Sequence, residues 1–120
     1  MSSSAPGTAP PDTLHIHLIE DNPGDARLIQ EHLDESDQAT ALRWDDALSD
    51  GLAPTDGPAP DVALLDLNLP DSTGPETVRR YNEHAPGVPI VVLTGADTLD
   101  TALQVLEAGA AEYLRKDEMA

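Results

Sequence analysis

The chain has 120 residues, enough for one ordinary domain with a real core but not for two. Six Lys and Arg stand against 23 Asp and Glu, a formal net charge of −17 that repels phosphate backbones and argues against direct nucleic-acid binding. There are no cysteines, so disulfides and thiolate metal sites are excluded, and no apolar run approaches the ~20 residues of a membrane span.

Residues 1–12, with their Ser/Ala/Pro-rich start, read as a disordered leader, and residues 13–120 as the single domain. The leader lacks the charged and apolar regions of a signal peptide, so a cytoplasmic protein is expected. Leu14 to Ile19 reads as a strand that runs directly into Glu20 and Asp21 and is stopped by Pro23 and Gly24. Asp25 is placed to cap a helix reaching about Glu35, with Ala26, Ile29 and Leu33 on one face. Thr40 to Trp44 is a short strand, Asp45 to Leu52 a short helix, and Pro54 to Pro60 a surface loop. Val62 to Leu67 is an almost unbroken apolar run carrying one carboxylate, Asp66, as a strand buried on both faces would. Gly74 and Pro75 open a helix that ends before Ala85. Ile90 to Leu93 is the next buried strand and ends at Thr94. Thr98 to Ala108 is a helix with Leu99, Ala102, Leu103 and Leu106 on one face and Gly109 as its stop, and Glu112 to Arg115 is a fifth strand. Five strands alternating with four helices, joined by connections too long for hairpins, predict an α/β fold with a parallel sheet.

Ligands of an open parallel sheet bind beyond the carboxyl ends of its strands. The first strand delivers Glu20 and Asp21 to that edge, the third Asp66, the fourth Thr94 and the fifth Lys116. Carboxylates converging there raise one another's pKa unless a cation sits among them, and all-oxygen donors at an open site favour Mg²⁺. An Asp carboxylate can act as nucleophile in phosphoryl transfer once the charge on the transferring group is neutralised. Lys116, the single lysine of the chain, offers a compact positive charge to a phosphoryl oxygen, and the Thr94 hydroxyl a hydrogen bond to another.

The acidic pair after strand one, Asp66 followed by Leu-Asn-Leu-Pro, Thr94 after strand four and Ala-Glu-Tyr-Leu-Arg-Lys at strand five resemble the receiver domains of two-component response regulators, chemotaxis receivers included. The resemblance runs from about Leu14 to Lys116 and rests on the joint spacing of five positions. It implies a flavodoxin-like, doubly wound five-stranded sheet of order 2-1-3-4-5. It implies that Asp66 accepts a phosphoryl group from a phosphohistidine on a sensor histidine kinase and that the output is binding to a downstream protein, or to a second copy as a homodimer, rather than enzymatic turnover. It further implies that Asp21 and Asp66 hold Mg²⁺ directly, Glu20 through water, and Asn68 through its backbone carbonyl, and that Thr94 and Tyr113 form the switch. Three departures accompany it. The acidic pair is Glu-Asp, Lys116 is followed by Asp117 rather than Pro, and the final helix of the family is expected to be missing from this chain.

Other readings of the same residues are open. A receiver-like scaffold that is never phosphorylated keeps the fold without the chemistry. An aspartyl-phosphate phosphohydrolase wants a second Asp two residues after the nucleophile, where this chain has Asn68. His15 and His17 share a strand face near its start and read as structural, and Trp44 as a core or partner contact. Excess carboxylate, with Arg making up five of the six basic residues, suggests a halophile's protein working in a high-salt cytosol.

Overall fold

The computed structural model describes residues 12–95 and 99–116. Its main elements are β1 (Leu14–Ile19), α1 (Pro23–Asp34), β2 (Thr40–Asp45), α2 (Leu48–Gly51), β3 (Val62–Asp66), α3 (Pro75–His84), β4 (Ile90–Thr94), α4 (Leu99–Ala108) and β5 (Glu112–Arg115). The five strands form one parallel sheet in the order β2-β1-β3-β4-β5, the flavodoxin-like order expected. A two-residue antiparallel pair, Asn68–Leu69 with Ser72–Thr73, follows β3 and was not foreseen. The expected leader lies almost wholly outside the described residues, as do Thr98, Asp117 and the place of a final helix.

Because side chains alternate along a strand, the sheet buries two different sets. Ile19, Leu65 and Val92 pack with Leu48, Val78, Tyr81 and Val105 beneath α2, α3 and α4. Leu18 and Leu93 pack with Ala26 and Ile29 of α1. Register brings the strand ends level: Asp66 lies opposite Leu93, and Thr94 opposite Arg115.

Several local expectations are corrected. Asn22, not Asp25, caps α1: its side-chain oxygen accepts from the Gly24 and Asp25 amides, and Pro23 takes the first turn, where a missing N–H costs nothing. Asp25 is thereby freed for another partner. The helix expected from Asp45 shrinks to four residues, because Asp45 continues β2 opposite Ile19. In α4 the expected apolar face is not the buried one. Val105 is fully buried, whereas Leu103, Leu106 and above all Leu99, 74% exposed, face outward. Helical spacing cannot say which of two apolar stripes meets the sheet. Gly109 does close α4, at φ +122°.

The backbone of α2 lies so close to β1 that a Cβ on Gly51 would run into the Ile19 Cδ1 methyl. Asp71, in the loop after β3, ties that loop to α2: its carboxylate accepts from the Leu48 and Ser49 amides at 2.9 and 2.8 Å. Slight burial opposes ionisation, but the Ser49 and Leu48 N–H groups hold the carboxyl below its usual range.

His17 is buried in the sheet. Its Nε2 lies 2.8 Å from Asp45 Oδ2, which also takes Arg43 Nε at 3.0 Å, and its Nδ1 lies 2.8 Å from the Tyr81 hydroxyl. The Asp45 carboxylate only accepts, so Nε2 carries the proton and Nδ1 accepts from Tyr81. Burial lowers the His17 pKa despite Asp45, and raises that of Tyr81 to about 12. The structural reading of His17 therefore holds. A depressed folded pKa means stability present above the unfolded value of 6.5 and lost as pH falls below it towards the folded pKa. Urea unfolding at about pH 7.5 and about pH 5.5 should show a larger loss for wild type than for His17→Gln, the difference removing titrations common to both.

Candidate functional site

Each predicted group is delivered by a different strand end. Glu20 and Asp21 follow β1, Asp66 ends β3, Thr94 ends β4 and Lys116 follows β5. They line one cleft of about 560 Å³ together with Asn68 and Asp25. Glu20 is fully buried and Asp66 and Thr94 nearly so, while Asp21 is exposed. One carboxylate oxygen from each of Glu20, Asp21 and Asp66 lies within 4.8 Å of the others, a spacing that one small cation could span.

Glu20 is held at both its side chain and its backbone. Asn22 N–H donates to Glu20 Oε2 at 3.2 Å, and the Trp44 indole N–H donates to the Glu20 carbonyl at 2.7 Å. Trp44 is 45% exposed, so it is no core residue; it pins the turn that carries the carboxylates. Asn68 N–H donates to Asp66 Oδ1 at 3.3 Å, which places the Asn68 peptide at the rim of the cleft.

Lys116 is the centre of the charge network. Its Nζ lies 2.7 Å from Glu20 Oε1, 3.0 Å from Asp25 Oδ2 and 3.3 Å from Asp66 Oδ2. Burial, which would lower the ammonium pKa, is outweighed by the bonds to Glu20 and Asp25 and the charge of Asp66, so Lys116 stays protonated. Burial pushes Glu20 up to about 7; Lys116 pulls against this, and Asp66 adds to it. A raised folded pKa stabilises the protonated form, so without a metal the Glu20 contribution to stability is lost as pH rises through 7.

Chemically, two buried carboxylates beside an exposed one form a hard oxygen-donor set suited to a divalent cation. Asp66 offers a nucleophilic oxygen within reach of an ammonium group and next to the Thr94 hydroxyl-bearing turn. All five positions expected from the strand ends are brought together, along with Asn68. Tyr113 is not: it sits within β5 opposite Val92 and packs partly buried against the core cluster beneath α3 and α4. The sequence reading missed Asp25 and Trp44. Asp25 lies in the first turn of α1 and meets Lys116 across 91 positions, a contact with no local signal. The Trp44 contact joins β2 to the turn after β1 and has no local signal.

The sequence matches the response regulator receiver domain family over residues 16–120. It is 32% identical over 105 residues to the transcriptional regulatory protein PhoP of Escherichia coli K12, covering 86% of this chain and 45% of that one. The chain thus spans less than half the length of that curated relative. Among solved structures, the Mn²⁺-bound response regulator Rcp1 has a TM-score of 0.76 at 30% identity, covering 85% of this chain and 80% of Rcp1. The phosphorylated cyanobacterial phytochrome response regulator RcpA has a TM-score of 0.77 at 25% identity, covering 89% and 86% of the two chains.

Proposed function

This chain belongs to the response regulator receiver domain family, and on that basis we propose that it is a phosphorylation-controlled switch in which Asp66 takes a phosphoryl group from the phosphohistidine of a sensor histidine kinase. The observation that carries this reading is the single lysine of the chain poised 3.3 Å from Asp66, beside a three-carboxylate cluster. A Mn²⁺-bound relative and a phosphorylated one support the same reading.

Glu20, Asp21, Asp66 and the Asn68 backbone carbonyl would hold Mg²⁺, which when bound offsets charge on the phosphoryl oxygens. An Asp66 carboxylate oxygen attacks phosphorus; the bond from phosphorus to the donor imidazole nitrogen breaks, and its electron pair leaves with the imidazole. Lys116 donates to one phosphoryl oxygen. Thr94 turns its hydroxyl to another, and Tyr113 follows inward, altering the surface of α4 and β5. That surface exposes Leu99, Leu103, Leu106 and Leu114, which suits a downstream protein or a second copy of the chain.

The product is a binding state rather than a turned-over substrate, and Asn68 stands where a phosphohydrolase would need its general acid. Among the described residues no helix is long and apolar enough to cross a membrane; membership of the family supports a cytoplasmic switch. The net charge of −17 supports work in a high-salt cytosol. Incubation with Mg²⁺ and acetyl phosphate at low and at molar salt, read by intact mass, tests the reading. The expected result is the gain of one phosphoryl group, dependent on Mg²⁺; no gain at any salt concentration sinks it.

A further inference from the structure

We propose that Asp25 is a positioning residue for the phosphoryl-accepting site: it withholds one Lys116 N–H from the phosphoryl group and so restrains the rate at which Asp66 is loaded. The inference rests on the function proposed above. An ammonium group has three N–H donors. In the resting chain three carboxylates lie within reach of them: Glu20 at 2.7 Å, Asp25 at 3.0 Å and Asp66 at 3.3 Å. Only the Asp25 contact has hydrogen-bond geometry, the other two being ion pairs, so a phosphoryl oxygen arriving at Asp66 competes with Asp25 for the ammonium donor that is already committed.

Exposure decides which carboxylate yields. The Glu20 side chain is fully buried and that of Asp66 7% exposed, so neither can trade the ammonium for water; Mg²⁺, where bound, compensates both and leaves Asp25 as the carboxylate that still holds Lys116. The Asp25 side chain is 38% exposed and sits at the solvent side of Lys116, itself 17% exposed. Water can replace Lys116 at Asp25 without burying an unpaired charge, so this pair opens when the phosphoryl group enters. Until it opens, Asp25 has two effects that slow loading. It occupies a donor the transferring group needs, and its negative charge lies in the same cleft that an anionic phosphodonor must enter.

The local sequence leaves Asp25 available for this contact. Asn22 supplies the helix cap, so Asp25 has no capping duty and stands in the first turn of α1 with its carboxylate turned to β5. The pair thus ties α1 to the residue following β5, 91 positions apart in the chain.

Two readouts on the whole chain test this. Lys116 is the only lysine, so uniform labelling with ¹⁵N-lysine yields one side-chain Nζ resonance without assignment. In Asp25→Asn that resonance should move, and in Asp25→Glu it should return toward the wild-type position. With saturating Mg²⁺ and acetyl phosphate as donor, Asp66 displaces acetate, which leaves with the electron pair of its phosphorus–oxygen bond. The rate of phosphoryl uptake should rise about two- to five-fold in Asp25→Asn, the scale of one partly exposed ion pair, and fall back in Asp25→Glu. An unmoved Nζ resonance in Asp25→Asn overturns the inference, as does a loading rate equal to or below that of wild type. If wild type itself gains no phosphoryl group, the proposed function fails and this inference with it. If both chains load at the same rate, only the role of Asp25 is lost.

Discussion

Asp66→Asn should abolish phosphoryl uptake, with the rate from acetyl phosphate falling at least about a thousand-fold. The exchange of one carboxylate oxygen for an amide nitrogen leaves the shape of the strand end unchanged. Asp66 is nearly buried and its Oδ1 accepts the Asn68 amide, so an asparagine oriented with its oxygen toward that amide keeps the loop in place. What disappears is the anionic oxygen that must attack phosphorus, and no neighbour can substitute. Glu20 is fully buried and occupied by Lys116, while Asp21 lies outside the buried edge. The measurement is intact mass after timed exposure to donor and Mg²⁺, with unfolding curves confirming that the variant folds. An adduct on Asp66→Asn at the wild-type rate would move the phospho-acceptor elsewhere.

Lys116→Met separates two properties that a simple loss of function would lower together. Methionine approximates the length of the lysine stem and removes the charge. Glu20 and Asp66 then remain buried with their cation gone, which should cost the metal-free chain on the order of 3 kcal/mol in urea unfolding at low salt. Mg²⁺ should bind more tightly, by about ten-fold, because the carboxylates no longer have an ammonium competing for them. Phosphoryl uptake should nevertheless fall about a hundred-fold, since the donor to the transferring oxygens is missing. The single tryptophan supplies the binding readout: the Trp44 indole donates to the Glu20 carbonyl, so its fluorescence senses the turn that carries the metal ligands. Weaker Mg²⁺ binding in Lys116→Met would show that the lysine helps assemble the cation site rather than competing with it.

The pKa of Glu20 explains why both measurements need a stated pH. A carboxyl raised to about 7 by burial is partly protonated near neutrality, and a proton there competes with a cation. Mg²⁺-dependent steps should therefore be compared well on the alkaline side of 7, above all for Lys116→Met, which loses the ammonium that holds the Glu20 pKa down.

The strand-ending residues Glu20, Asp21, Asp66, Thr94 and Lys116 were legible in the chain alone. A parallel sheet has only one edge at which such groups collect, and apolar runs as dense as Val62 to Leu65 announce where that edge begins. The alternation of strands and helices was legible for the same reason, because periodicity is a local property. What depended on contacts between distant segments could not be read. Whether α4 turned Val105 or Leu103 inward was settled by the sheet it met, and the length of α2 by the pairing of Asp45 with Ile19. Trp44 found a carbonyl 24 positions away, and Lys116 found Asp25 across 91. Local sequence therefore determined which chemical groups reach the edge of the sheet, since strand ends are set by the residues that form them. Only the tertiary structure decided how one lysine is shared among Glu20, Asp25 and Asp66, because that sharing depends on distances between elements that nothing in the local sequence encodes.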